Sequence, residues 1–407
     1  MSTHPEYNGD LIDEYDIWYA GGARFREALK NDEDGRFLVL RRADKERVGG
    51  ISYRDLRKGR AQYVSEVGRI VANITATILQ ARPRLVDADS YIEELNSDAD
   101  GAGTDLSELA RRILVEGFVA QRAYLGPSFP ATPDSGMDLE QALSAGMLDG
   151  KLRFYRARSV LHWSRAGDGR LNSVRVYGYH DDRSRGTWGA IVGRTHRWLV
   201  IDDADITTYE FYQTAKDGIL KPIDMLEPVA DVGSQSHGYA RCPIVEYKFS
   251  QNFWILDRLA DAQKRLFNSE ADESFIRSEC AHPQRVLKGS PKVTVDADGN
   301  QKVMASPVHG IHLDENGDFA IVGPDGAQAS WHKEAIERDR GALYAALEAL
   351  YLGLSQQSQN ARQAASAKAI DRSDATMFLA FAAAELEETI LSVVRLIKEK
   401  RGKVGGV

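Results

Sequence analysis

Between residues 255 and 283 the chain reads ILDRLADAQKRLFNSEADESFIRSECAHP. Ile255, Leu259, Ala262 and Leu266 fall at i, i+4, i+7 and i+11, which is one face of a 3.6-residue period. The stripe then thins. Asn268, Ser269, Glu270, Asp272, Glu273 and Ser274 follow, broken by Ala271 alone, before Phe275 and Ile276 restore apolar character and Pro283 marks a stop. A helix of about 25 residues spans roughly 35–40 Å at 1.5 Å per residue. A long helix with a polar middle is unusual for a simple globular core, and the pattern predicts that this middle faces neighbours or water.

The same reading along the chain predicts further elements. Residues 1–50 are mixed and loop-rich, with KNDEDGR a solvated turn. Residues 53–82 read as one long helix carrying Val67, Ile70, Val71, Ile74 and Ile78, stopped by Pro83. A second helix starts at Asp105, where DLSE has the form of a capping box with Glu108 at its third position. Its stripe is Leu106, Leu109 and Ile113. GPSFPATPDSG reads as a loop and MDLEQALSAGML as a short helix. From 152 to 247 the texture turns to about six short antiparallel strands, with Val174 and Val176 in period two and Asp-Gly at the centre of AGDGRL as a hairpin turn.

After Pro283 the turn signals Asp298-Gly299, Asn316-Gly317 and Pro324-Asp325-Gly326 outline a β-rich insert. A helix over 333–354 carries Leu343, Leu347, Leu350 and Leu354. The polar run SQQSQNARQAASAKAIDRSDAT follows. A last helix over 373–400 carries Leu379, Leu386, Ile390, Val393 and Ile397, and the tail RGKVGGV is expected to be mobile. The class is α+β.

Composition narrows the choices. The chain has 407 residues, 43% of them hydrophobic, enough for more than one domain. Its formal net charge is -8, which excludes a broadly basic nucleic-acid binder that works by counterion release. Cys242 and Cys280 form neither a disulfide framework nor a zinc pattern and read as two buried thiols in a reducing compartment. No apolar signal segment opens the chain, and no run approaches 18 apolar residues, so no membrane span is expected.

Candidate chemistry is sparse. DADGNQKVMASP places Asp296, Asp298 and Asn300 at calcium-loop positions. However, Gln301 stands where the loop needs glycine and Pro307 where it needs a bidentate glutamate. His309, His312 and His332 have no metal-ligand spacing, so no metal is expected. No phosphate-binding glycine loop, dinucleotide fingerprint or nucleophile elbow is present, and no cofactor is expected. An enzyme would need a site assembled from distant residues such as His162, His180 and His196.

The order of elements resembles the portal, or head-to-tail connector, proteins of tailed bacteriophages. YVSEVGRIVANITATILQARPRL (63–85) is similar to the portal helix with a proline-containing exit. FYRARSVLHWSRAGDGRLNSVRVYGYH (154–180) is similar to the wing strand ending in Trp and its glycine hairpin. CPIVEYKFSQNFWILDRLADAQKRLFNSEADESFIRSECAHPQRVLKG (242–289) is similar to the strand that leads into the stem helix and the clip. The resemblance covers about 50–400.

It implies a wing over 1–250, a stem helix over 251–281, a clip over 282–332 and a second stem helix over 333–354. It further implies a tunnel loop over 355–372, a wing helix over 373–400, a tail over 401–407 and a short or absent crown. It implies a non-enzymatic, dodecameric ring at one capsid vertex of a virion assembled in the host cytoplasm. Double-stranded DNA crosses the ring during packaging and ejection. The implied partners are the terminase large subunit, then a head-tail adaptor, with the major capsid protein and a scaffold protein.

On this map Glu270, Asp272 and Glu273 are lumen-facing acids that let DNA slide. Gln356, Gln357, Gln359, Asn360, Arg362, Lys368 and Arg372 are tunnel residues making weak, sequence-blind phosphate contacts. The alternatives are a solvated loop for the tunnel stretch, and for the whole chain an α+β enzyme or another virion protein such as an adaptor.

Overall fold

The computed structural model describes residues 4–41, 47–48, 51–86, 90–128, 150–187, 191–216, 219–220, 230–249, 254–280, 284–288, 294–295, 301–302, 318–322, 326–352 and 365–404. Its helices are α1 (Gly9–Ala20), α2 (Gly22–Lys30), α3 (Tyr53–Arg60), α4 (Glu66–Ile78), α5 (Ser90–Glu94), α6 (Leu106–Ala120), α7 (Ile255–Cys280), α8 (Gly326–Leu352) and α9 (Ala365–Val404). The first strands are β1 (Arg47–Val48), β2 (Ile51–Ser52), β3 (Arg122–Pro127), β4 (Leu152–Arg156) and β5 (Val160–Arg165). Then come β6 (Leu171–Thr187), β7 (Ile191–Ile201), β8 (Asp205–Lys216), β9 (Ile219–Leu220), β10 (Ala230–Ser236) and β11 (Val245–Lys248). The last are β12 (Gln284–Lys288), β13 (Thr294–Val295), β14 (Gln301–Lys302) and β15 (Asp318–Val322). Every described strand pairing is antiparallel, and the class is α+β.

The chain divides into two compact units. One comprises Met1–Gly21, Ser65–Asp261 and Ala345–Val407, the other Gly22–Val64 and Ala262–Tyr344.

Among the described residues the first unit holds two sheets. The larger runs β10-β8-β7-β6-β5 and the smaller β11-β3-β4. Period-two alternation sends Val174, Val176, Ile201 and Ile206 of the larger sheet into one core with Trp163, Tyr124 and Ile244. The strands of this sheet are not short, since β6, β7 and β8 run 17, 11 and 12 residues. The hairpin before β6 turns as its Asp-Gly predicts. Ala166 N–H donates to Arg170 O at 2.8 Å, Gly169 N–H donates to Ala166 O at 2.9 Å, and Gly169 takes a φ of 85°. Cys242 is buried here, which pushes its thiol up to about 11.

Helix α6 lies against the smaller sheet. Asp105 caps it, accepting from Glu108 N–H at 2.6 Å. The Glu108 carboxylate does not close the box. It binds Arg111 and Arg112, and those bonds, first of all the one to Arg111, hold its pKa down to about 2. At Gly117 the helix packs so close to the sheet that a Cβ there would lie 2.5 Å from the Tyr247 ring. Phe118 stacks on Phe249 at 5.0 Å, and Tyr247 donates to Ala382 O of α9 at 3.3 Å.

Several expectations are corrected. The helix read over 53–82 is two helices, α3 and α4, separated at 61–65. Ser65 Oγ accepts from Gly68 N–H at 3.0 Å and donates to Trp18 O at 2.8 Å, so a polar cap starts a new helix inside a run whose spacing looks continuous. The loop-rich start contains α1 and α2. Asn8 caps α1, and Ile12, Tyr15 and Trp18 bury one face of it. After α6 the chain forms β3, which takes in Gly126 and Pro127 from the start of the stretch read as a loop. The short helix expected from MDLEQALSAGML lies outside the described residues.

The second unit is held around α7. Phe25 stacks on Tyr63 at 3.9 Å and meets Phe267 edge-on at 5.0 Å. Cationic side chains of α3 close the carboxyl end of α2. Lys58 donates to Lys30 O at 3.1 Å, and Arg54 donates to Asp32 O and Glu33 O. The last carbonyls of α2 carry its negative dipole end, which suits such donors. In this unit β12 also pairs with β15 through five register partners, from Gln284↔Val322 to Lys288↔Asp318.

Candidate functional site

The polar middle of α7 is the feature that sequence periodicity left unexplained. The helix buries Leu266, Phe267 and Ala271, and it buries Asn268 among them. Asn268 Oδ1 accepts from Val39 N–H at 2.9 Å. Its Nδ2 donates to Phe37 O at 3.1 Å and to Lys264 O at 2.7 Å. A side-chain amide thus pairs with the main chain of residues 37–39, which belongs to neither helix nor strand, and satisfies polar groups that burial would otherwise leave unpaired.

The acids of the same stretch are also engaged. Asp272 binds Arg57 at 3.0 Å and also Arg41. Arg57 is 2% exposed and donates in addition to Val39 O at 3.3 Å. Glu270 binds Arg340 of α8 at 3.1 Å, Ser269 donates to Asp339 at 2.5 Å, and Glu273 binds Arg277 one turn along at 2.6 Å. The expectation that this half of the helix faces neighbours or water is therefore corrected for Asn268, which is buried, while Asp272 is partly exposed and ion-paired. Their polarity holds the segment 37–41 to α7 within one unit.

The tunnel residues divide differently. Gln356, Gln357, Gln359, Asn360 and Arg362 lie outside the described residues. Lys368 and Arg372 lie on α9, which begins at Ala365, so 365–372 is helix where a loop was expected. The alanines of AASAKAIDR favour helix strongly enough to override the polar composition. Helix α8 likewise begins at Gly326, seven residues before the expected 333, and takes 326–332 from the insert.

The three histidines offered for an enzyme site do not converge. His162 pairs with Arg175, and Arg175 with Val200, so His196 lies four residues further along β7. That is about 13 Å at 3.3 Å per residue. Backbone pairing places His180 opposite Thr195. Burial holds the His162 ring below its usual pKa. His196 is buried, with Tyr177 Oη at 2.6 Å from Nδ1 and Gln213 Oε1 at 2.8 Å from Nε2. Among the described residues no group of three His, Cys, Asp or Glu side chains is arranged to hold a metal ion. His309 and His312 lie outside them. No described helix is long and apolar enough to cross a membrane.

One surface escaped the sequence reading. On β6, β7 and β8 the register sets Tyr177, Trp198 and Tyr209 in one row and Tyr179, His196 and Phe211 in the next. The signal was present in VYGYH, THRW and YEFY as aromatics in period two, and a face-by-face count would have found it.

No family model matches the chain, and no curated protein matches it. Among solved structures, a chain described as virion of native gene transfer agent (GTA) particle is similar over 84% of this chain and 85% of its own. The identity is 14% and the TM-score 0.34, a likeness too slight to carry an argument.

Proposed function

We propose that the chain is a phage portal protein: one subunit of a closed ring through which double-stranded DNA is packaged into a capsid and later ejected. The observation that carries this reading is the helix–insert–helix arrangement of α7, the β12–β15 ribbon and α8. Two helices of 26 and 27 residues bracket an insert whose ends are paired strand to strand. Ser269–Asp339 and Glu270–Arg340 tie the helices side by side. Such a strut carrying a small β-rich tip is expected of a stem and clip, and a catalytic domain has no evident use for it.

In this reading the two sheets and α9 form the wing, and the insert is the docking surface for the terminase and then for a head-tail adaptor. The virion vertex is the location, with capsid and scaffold proteins as further partners. Glu270 and Glu273 are the acids that keep the bore from gripping phosphates, since each added cation strengthens binding and its salt dependence. Each of these two is paired with one arginine, Arg340 and Arg277, whereas the charge of Asp272 is held by two, Arg41 and Arg57, and contributes less. The residues from Gln356 to Arg372 contact DNA weakly, and the ring multiplies each contact by the number of subunits. The chain itself catalyses nothing.

Negative-stain class averages of the purified protein test the reading. Closed rings with a central channel are the expected result. A monodisperse monomer, with and without a scaffold protein, overturns it.

A further inference from the structure

A cavity of about 600 Å³ lies in the first unit, beside the start of β3. Arg122, Trp163, Trp254 and Lys248 form part of its wall, and Glu6 and Tyr7 line it from the segment that precedes α1. Pockets of that size hold small ligands. The backbone leading into the wall is strained. Gln121 takes a φ of 67°, the one left-handed non-glycine residue among those described. Phe249 N–H donates to Gln121 O at 3.0 Å, and Gln121 Nε2 donates to Phe249 O at 3.1 Å, so the strained turn is held at two points. Strain that the surroundings enforce clusters at ligand clamps.

Arg122 is the polar centre of the wall. Its side chain is 11% exposed, and its guanidinium lies 4.7 Å over the Trp163 ring. Nη1 is buried without a hydrogen bond, 3.6 Å from Glu246 Oε1, which is buried without one as well. Nη2 donates to Glu6 at 2.8 Å. Lys248 is the register partner of Arg122 and brings a second cation to the wall. The carboxylate already on Arg122 is lightly held. The Glu6 side chain is 58% exposed, and water and salt weaken ion pairs of that kind. Its neighbours are anchored without it. His4 N–H donates to Leu161 O at 2.9 Å, the His4 ring stacks on Trp163 at 4.1 Å, and Tyr7 Oη donates to Arg158 O at 3.2 Å. Glu6 can therefore leave Arg122 while the segment stays docked.

We propose that this cavity binds a ligand carrying a carboxylate on a flat apolar body, and that Glu6 is the displaceable stand-in for that carboxylate on Arg122. The ligand's carboxylate takes Nη2 of Arg122 beside the charge of Lys248, a charge-assisted bond like the one Glu6 makes. Its body lies beside Trp254 and Tyr7. The inference goes beyond the ring reading and does not rest on it.

Benzoate is the probe, benzamide its uncharged counterpart, and the melting temperature of the full-length chain the readout. Benzoate is expected to stabilise wild type and, at lower concentration, Glu6→Ala. The midpoint should fall about two- to sixfold, the factor by which an exposed ion pair keeps a site occupied. Benzamide is expected to shift neither protein. Adding Arg122→Gln to Glu6→Ala should abolish the benzoate response, and if that double variant does not fold, the benzamide comparison decides alone. Equal shifts from benzoate and benzamide, equal midpoints in wild type and Glu6→Ala, or no shift in either protein overturns the site. None of these results bears on whether the chain forms rings.

Discussion

Asn268 makes three main-chain hydrogen bonds, two of them to residues 37–39, that no apolar residue can replace. Asn268→Leu strips partners from Val39 N–H and Phe37 O, and leaving buried groups unpaired costs about 1–3 kcal/mol. Urea denaturation is expected to show that loss, whereas Glu273→Ala, which removes a single i,i+4 pair, is expected to cost about 0.5 kcal/mol or less. Asp272→Lys leaves Arg57 buried beside a like charge, and breaking a buried pair costs about 3–5 kcal/mol. A packaging defect in that variant would therefore report folding, and Glu273→Lys is the cleaner probe of an acidic bore. His237 makes a separate prediction. Its Nε2 donates to Asp202 O at 2.9 Å and its Nδ1 accepts from Tyr239 N–H at 3.1 Å, so the neutral ring satisfies both. Burial lowers its pKa in the folded chain. As pH falls below about 6.5, the unfolded chain takes the proton first and stability declines. A melting temperature that drops between about pH 7.5 and 5.5 is expected. His237→Gln should start lower and fall less steeply, with a residual slope from His162, whose shift has the same sign.

Helix ends and close approaches decide the elements. Ser65 both caps α4 and donates to Trp18 O, so Ser65→Ala is expected to cost about 1–2 kcal/mol in a thermal or urea melt. Gly117→Ala drives a methyl group into the Tyr247 and Phe249 rings, and overpacking of that kind costs about 1–3 kcal/mol. These two residues also mark how far the sequence could be read. The α6 cap at Asp105, the Asp-Gly hairpin and the α7 stripe were legible because each is a local signal, complete within a few residues. The break at 61–65 was not, because the bond that fixes Ser65 goes to Trp18, 47 residues earlier in the chain. Helix α9 begins early because alanine content outweighs polarity, and α1 was passed over because Asp10, Asp13 and Glu14 break up the stripe formed by Ile12, Tyr15 and Trp18. The candidate site was half legible. The helix carrying the polar residues could be read, but their partners could not, since Arg41, Arg57 and Asn268 meet only after the chain has folded back.

For the whole molecule, the insert between α7 and α8 offers the sharpest separation of structure from function. Lys288 and Asp318 are register partners at the far end of the β12–β15 ribbon, so a two-residue Asn-Gly turn can join them directly. Replacing 289–317 with that turn shortens the loop that folding must close, which favours the folded state slightly. The trimmed chain is expected to melt within a few degrees of the full chain and, under the portal reading, to form rings of the same diameter in negative stain. Under the same reading it is also expected to lose motor-driven packaging, because the proposed docking surface for the terminase has been removed while the proposed channel remains. Rings that still package DNA at the full-length rate would move the motor contact away from the insert. Failure of the trimmed chain to form rings would make the insert part of the subunit interface, and the long helices would then be anchored at their tip as well as along their length.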